Sequence, residues 1–237
     1  MDRQIFIIVA AYNEADRIGA TLAALASAFP GARVLLADDG STDATASIAA
    51  GLGAHVVRSE RMLGKGEAVT LAAREALGNA RALQLEQETV FVLCDGDLGA
   101  SAGTLVALTD AVAAGQGDLA VAAFSRRVGG GIGLALGFAR WAIRRRCGLQ
   151  TVAPISGQRA LSAAVLADVL PFAHGFGMEI GMTIDAVRHG HRLIELELEL
   201  DHRATGRTAA GFAHRGRQLL DIARVYVNRG RLKRERR

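Results

Sequence analysis

An open α/β fold, with a mostly parallel central sheet flanked by helices, is what this sequence predicts. Three observations predict it. Short unbroken apolar runs alternate with helix-period segments through the first half of the chain, the rhythm of βαβ units. Polar clusters follow directly after those runs, where open parallel sheets place their ligands. Half of the 237 residues are hydrophobic and 22% are charged, enough apolar matter for a real core.

Taken in order, residues 5–10 (IFIIVA) form a continuous apolar run, as a parallel strand buried on both faces requires. Residues 17–28 read as a helix with Ile18, Leu22 and Leu25 on one side, ended by the turn Pro30-Gly31. A second strand spans 33–37. A second helix spans 43–52, with Asp43 as an available N-cap and Gly53 as the C-terminal cap. Residues 55–58 are a third strand. Gly66 precedes a third helix over 67–77, ended by Gly78. Residues 90–94 (VFVLC) are a fourth strand, 101–114 a helix that Ser101 can cap, and 118–123 a fifth strand.

The second half is less regular. Residues 128–139 are glycine-rich and run into a helix with the basic end Arg144-Arg145-Arg146. Residues 154–157 are a turn, and 162–170 and 179–188 are helices. Residues 193–200 (LIELELEL) alternate strictly, as a half-exposed strand does. A polar loop over 202–211 leads to a closing amphipathic helix over 212–228. Neither a repeat nor a linker interrupts the chain, which reads as a single domain over 1–237.

Composition excludes several classes. The apolar content is too high for disorder. Two cysteines, Cys94 and Cys147, both in apolar stretches, fit a reducing cytoplasm rather than a disulfide scaffold. The uncharged run 128–139 is far short of the ~20 residues that span a bilayer, and the N-terminus enters a strand with no leader-like segment. The net charge of +4 is local: residues 229–237 carry six basic residues and one acid, leaving 22 basic and 23 acidic groups in the other 228. A neutral body argues against nucleic acid as a partner. The basic tail reads either as a solvated helix end or as a weak contact with an anionic membrane surface, at ~1 kcal/mol per basic residue. The stripe Leu219, Leu220, Ile222 and Val225 is free to bury within the chain or across a two-fold dimer.

Four polar clusters carry the chemistry: Tyr12-Asn13-Glu14, Asp38-Asp39-Gly40-Ser41, Gly64-Lys65-Gly66 and Asp95-Gly96-Asp97. Each has a plain alternative: an Asx turn at Asp95–Asp97, a solvated lysine at 65, a surface charge at Glu14. Together on one sheet rim they exceed what turn chemistry requires. Paired carboxylates suit a hard divalent cation shared with substrate phosphates. Asp38 can accept from the ring N–H of a uracil, and Lys65 between two glycines suits close approach to a phosphate. A dinucleotide-binding dehydrogenase would place Gly-x-Gly-x-x-Gly after the first strand, where Ala10-Ala11-Tyr12-Asn13-Glu14 stands. A nucleotidyltransferase would place a glycine-rich, arginine-bearing loop there. A non-catalytic binding module needs no such set of carboxylates.

The segments AYNEADRI, LLADDGSTDAT, GKGEA and LCDGDLG resemble the family 2 type of glycosyltransferase with its nucleotide-sugar-binding GT-A fold, over residues 4–125. PISGQRA, the segment around GFGMEIG, and DHRATGR are similar to the members that move glucose from UDP-glucose to 3-phosphoglycerate. SGQRA is also close to the polyprenyl-phosphate sugar transferases, which work on a lipid carrier at the cytoplasmic membrane face and invert configuration. The resemblance implies a nucleotide-sugar-binding half over 1–125 and an acceptor-binding half over 126–237. It implies a UDP-sugar donor held by Ala11, Tyr12, Asn13, Glu14, Asp38, Ser41, Lys65, Asp95 and Gly96. It implies Mg2+ or Mn2+ on Asp97, with His202 completing the metal shell, and Glu179 facing the sugar and acceptor. A phosphorylated small acceptor would be met by Gly157 and by Arg126, Arg127, Arg159, Arg203 and Arg207, since guanidinium pairs bidentately with phosphate. The implied outcome is retention of configuration, in a cytoplasmic enzyme that can touch the inner membrane face through its tail.

Overall fold

The computed structural model describes residues 3–124, 133–200 and 220–229. Seven strands form one sheet in the order β3-β2-β1-β4-β6-β5-β7. They are β1 (Gln4–Ala11), β2 (Arg33–Asp38), β3 (His55–Arg58), β4 (Thr89–Asp95), β5 (Leu119–Phe124), β6 (Arg159–Ser162) and β7 (Leu193–Leu198). β6 runs antiparallel to both its neighbours; every other pairing is parallel. The mostly parallel α/β architecture is therefore the one expected. β6 itself was not expected: its four residues follow a turn and abut a helix, and a central strand carrying an arginine reads as surface.

The unbroken apolar runs are explained by burial on both faces. Phe6, Ile8, Leu35, Phe91 and Leu93 face one core, while Ile7, Val9, Leu36, Val90 and Val92 face the other. The first core is covered by α3 (Lys65–Ala82), α6 (Ala163–Val169) and α7 (Met178–Arg188). The second is covered by α1 (Ile18–Ala28), α2 (Thr45–Gly51), a 3-10 segment Gly99–Leu105 and α4 (Val106–Ala113). A third cluster joins α5 (Gly133–Cys147), α7 and the helical residues 220–229 through Ala139, Ile143, Ile180, Ile184, Ile222 and Val225. Of the stripe Leu219, Leu220, Ile222 and Val225, Ile222 and Val225 are thus buried inside the chain, Leu220 is exposed, and Leu219 lies outside the described residues.

Local boundaries differ where tertiary packing overrides a terminator. α3 runs through Gly78 to Ala82, because Ala76, Leu77 and Ala80 are all buried against the sheet while Gly78 faces solvent. The expected helix over 101–114 begins instead as the 3-10 segment, whose entry is set by a contact from α1 described below. α2 starts at Thr45 rather than Asp43, with Ala44 at the N-cap position. Among the described residues no helix is long and apolar enough to cross a membrane.

Topology positions the site. β1, β2 and β4 end side by side, Ala11 opposite Asp38 and Ala10 opposite Asp95. Because β6 is antiparallel to β4, with Arg159 opposite Leu93, its N-terminal approach arrives at that same edge. Gly157 and Gln158 are thereby delivered to the carboxyl end of β4.

Candidate active site

The loops after β1 and β2 are stapled together. Asn13 adopts a left-handed backbone (φ 54°), and its amide N–H donates to Ser41 Oγ at 3.0 Å. Asn13 Oδ1 accepts from the Thr42 N–H at 2.8 Å, and the Glu14 N–H donates to Thr45 Oγ1 at 2.8 Å. Asp43, just before the cap position, accepts from the N–H groups of Ala15 and Thr45. The Thr45 hydroxyl, then these amides, hold its carboxyl below the usual carboxylate range. A depressed pKa contributes stability above the unfolded value and loses it as pH falls. Asp43→Asn should therefore flatten the acid limb of a plot of urea midpoint against pH below about pH 5; an unchanged limb would assign the acid sensitivity elsewhere.

Asp38 is fully buried at the end of β2. Its Oδ1 accepts from the Ser41 N–H at 3.0 Å, and its Oδ2 lies 3.2 Å from Arg58 Nε without the alignment of a hydrogen bond. Asp39 accepts from the N–H groups of Leu63 and Gly64, tying this loop to the entry of α3. Ala11 is buried and Tyr12 exposed on the same rim.

The Gly64-Lys65-Gly66 segment is shaped by a close approach. A Cβ on Gly66 would lie 2.0 Å from the Ala173 carbonyl oxygen, so only glycine lets the first turn of α3 meet the segment leading to α7. Thr70 completes the seam, its hydroxyl donating to Gly66 O at 2.6 Å and accepting from the Phe172 N–H at 3.0 Å. His174 and Glu67 close it with a short side-chain contact.

This seam brings Lys65 to Glu179, 114 residues away in sequence. Lys65 Nζ donates to Glu179 Oε1 at 2.9 Å and lies 2.6 Å from Asp95 Oδ1. Burial by itself pulls the ammonium pKa down, but Asp95 and Glu179 together outweigh it and raise it. The group is a fixed cation at every working pH. Glu179 is 5% exposed in the first turn of α7, where the helix dipole favours an acid. Gly157 sits over the pair: a Cβ there would be 2.7 Å from Lys65 Nζ and 2.8 Å from Asp95 Oδ2. Gln158 Nε2 donates to Asp95 Oδ2 at 2.9 Å, completing the hold on that carboxylate.

Arg159 requires a correction. It is 0% exposed, its Nε donating to Ser156 O and one terminal nitrogen to Thr183 Oγ1 at 3.0 Å. Burial pulls its pKa down to about 10, with Glu179 and Glu195 opposing. It lies beneath the site, linked to α7 through Thr183, whose hydroxyl bonds to Glu179 O. It is not a surface arginine open to an acceptor.

The Asp95–Asp97 turn divides its labour. Asp95 is engaged by Lys65 and Gln158, whereas the half-buried Asp97 carboxylate makes no hydrogen bond or ion pair among the described residues. The thiols of Cys94 and Cys147 are free, and burial, aided by Asp95 and Asp97, pushes that of Cys94 well up. No three Asp, Glu, His or Cys side chains gather to hold a metal ion among the described residues. The donor chemistry still fits a hard cation in part, since one open carboxylate plus diphosphate oxygens is an ordinary Mg2+ arrangement. Arg126, Arg127, His202, Arg203 and Arg207 lie outside the described residues.

Several residues of the site escaped the sequence reading. Gln158 stands next to recognised positions and Thr183 one helical turn after Glu179, but nothing in their spacing marks them. Alternating patterns identify a strand, not which distant carboxylate its approach will meet.

The carboxyl edge of this α/β sheet thus joins an Asp-x-Asp turn, a half-buried lysine and a helix-start glutamate, and the chain belongs to glycosyltransferase family 2, matching Glycosyl transferase family 2 over residues 6–146. The GT-A architecture expected from the resemblance is thus present. The chain is 31% identical over 209 residues to the glucosyl-3-phosphoglycerate synthase of Mycolicibacterium paratuberculosis. That match covers 77% of this chain and 60% of the relative, so the chain spans less than two thirds of the relative's length. It is similar in structure to glucosyl-3-phosphoglycerate synthase from Mycobacterium tuberculosis in complex with phosphoglyceric acid, with a TM-score of 0.74 at 24% identity, covering 96% of this chain and 80% of that one. The complex of the same synthase with Mn2+, UDP and phosphoglyceric acid matches with a TM-score of 0.74 at 25% identity, covering 96% and 78%.

Proposed function

We propose that this protein transfers glucose from UDP-glucose to 3-phosphoglycerate, with retention of configuration and dependence on Mg2+ or Mn2+, as a single cytoplasmic unit whose residues 1–125 bind donor and 126–237 acceptor. The observation that carries the reading is Lys65, a fixed cation locked between Asp95 of the first half and Glu179 of the second. The family membership and the similarity to a synthase crystallised with Mn2+, UDP and phosphoglyceric acid support it.

In the reaction the bond from the anomeric carbon to the β-phosphate oxygen breaks, and a bond to the acceptor hydroxyl oxygen forms as that hydroxyl's proton passes to an oxygen of the departing diphosphate. UDP leaves with the electron pair of the broken bond. Negative charge gathers on the departing diphosphate, and the Lys65 ammonium beside it lowers the barrier by electrostatic preorganisation. Asp97, with His202, would hold a divalent cation that supplies Lewis-acid stabilisation to the same charge. Asn13, Glu14, Ser41 and Asp38 form the cradle for the uridine, with Ala11, Tyr12 and Gly96 along its wall. Glu179 orients sugar and acceptor; its Oε1 is occupied by Lys65, which suits an orienting carboxylate better than a free base. Gly157 allows the acceptor's close approach, and Arg127, Arg203 and Arg207 are its anion-binding partners.

The first tail arginine, Arg229, is spent on Asp185 at 2.6 Å, so a membrane contact would rest on the residues beyond it.

The test is product formation from UDP-glucose with Mn2+, offering 3-phosphoglycerate and a polyprenyl phosphate in parallel. Turnover with the first alone is expected; turnover with the lipid alone would overturn the acceptor. Glu179→Ala is expected to cut kcat about 100-fold or more while UDP affinity, read by calorimetry, stays within about threefold. Collapse of UDP binding in that variant would refute the role given to Glu179.

A further inference from the structure

Helix α1 reaches up to the Asp95–Asp97 turn from below. Thr21 is 0% exposed, and its hydroxyl meets the turn on both sides. It donates to Gly96 O at 2.8 Å and accepts from the Gly99 N–H at 2.9 Å. A threonine hydroxyl has one proton to give. The carbonyl of Arg17, one turn back at 3.3 Å, is the poorer target, so the proton goes to Gly96. One helical turn earlier, the Arg17 guanidinium donates to the Asp97 carbonyl at 3.1 Å. The Gly96 N–H is taken by Ala10 O at 2.8 Å. The backbone around Asp97 is therefore pinned at Gly96, Asp97 and Gly99, while its carboxylate is unengaged among the described residues.

We propose that Thr21 is a positioning residue that sets where the Asp97 carboxylate stands, and with it the metal-dependent part of nucleotide binding; the inference rests on the transferase reading above. A turn held only by Ala10 could swing its Asp97 side chain about the β4 end. The Thr21 bridge removes that freedom before any ligand arrives, as preorganisation requires. Thr21 touches neither donor nor acceptor, so its influence passes through the backbone of 96–99. Arg17 supports the same turn from the exposed side.

The experiment is calorimetric titration of UDP with and without Mn2+, on wild type, Thr21→Val, Thr21→Ser and Arg17→Ala. Valine keeps the shape and removes the hydroxyl; serine keeps the hydroxyl. Thr21→Val is expected to lose about tenfold of the affinity gained on adding Mn2+, with metal-free UDP affinity unchanged. Thr21→Ser should restore the gain, and Arg17→Ala should lower it about twofold to threefold. A Thr21→Val protein with the wild-type gain overturns the inference, as does equal loss of metal-free binding or failure of serine to rescue. Should valine at 21 prevent folding, seen by circular dichroism, the exposed Arg17→Ala decides: an unchanged gain there overturns it. A wild type with no Mn2+ gain removes the transferase reading itself; a responsive wild type beside an equally responsive variant removes only the role of Thr21.

Discussion

Lys65→Met is expected to lower kcat by a factor of about 10^2 to 10^3, the range found when one preorganised donor is removed from developing charge. The same change leaves Asp95 and Glu179 facing each other without the cation that now sits 2.6 Å from one and 2.9 Å from the other. Removing one member of a buried charged set costs about 3–5 kcal/mol. Lys65 is partly open to water, so solvent screening brings the expectation below that range, to about 2–3 kcal/mol. Steady-state kinetics and urea denaturation read the two effects separately. Pairing Lys65→Met with Glu179→Gln should recover part of the stability, because the unpaired acid is then neutral, but none of the turnover. Turnover within about threefold of wild type in Lys65→Met would remove the lysine from the mechanism. The raised pKa adds a sign: its stabilisation is fully present below the unfolded lysine value near 10.4 and is lost only as pH rises above it. Titration of Lys65 therefore cannot shape a pH–rate profile below about pH 9.

Gly66→Ala is expected to be the most damaging added methyl among the described glycines. Its Cβ would sit 2.0 Å from Ala173 O and 3.0 Å from Ala173 C, both backbone atoms without a rotamer to escape into. The first turn of α3 and the 173–175 segment must part, at a cost of about 3 kcal/mol or more. For a chain of this length that corresponds to a melting temperature lower by about 10 °C. Gly78→Ala is the internal comparison. Gly78 lies in the same helix, is exposed and has nothing within 4 Å of an added Cβ, so alanine there should stabilise by about 0.5–1 kcal/mol. Two identical substitutions in one helix are thus predicted to have opposite signs. Calorimetric melting of both variants checks this; equal shifts would mean that the contact at Ala173 is not a constraint. Because the seam also carries Lys65 to Glu179, Gly66→Ala should lose activity at temperatures where it is still folded.

The sheet and its chemical edge were legible in the amino-acid order because both are written locally. A strand buried on both faces must be apolar throughout, so residues 5–10, 34–37 and 90–94 announce themselves, and the groups at their ends must be polar. Asp38, Asp95 and Asp97 were found for that reason. β6 was not legible, since its core-facing arginine has the signature of a surface residue until Ser156 and Thr183 are known to hold its Nε and one terminal nitrogen. The end of α3 was misplaced because a glycine terminates a helix only when nothing beyond it needs burying, and Ala80 does.

The amino-acid order by itself determined which residues could do chemistry and on which edge of the sheet they would stand, since strand length, turn composition and charge are properties of neighbours along the chain. Only the tertiary structure decided which of them meet. Reversing β6 beside β4 brings Gly157 and Gln158 onto Asp95, sinks Arg159 beneath the floor, and with the Gly66 seam sets Lys65 against Glu179. Those contacts depend on strand order and direction, and the free energy that selects them is the burial of two cores shared by segments far apart in sequence.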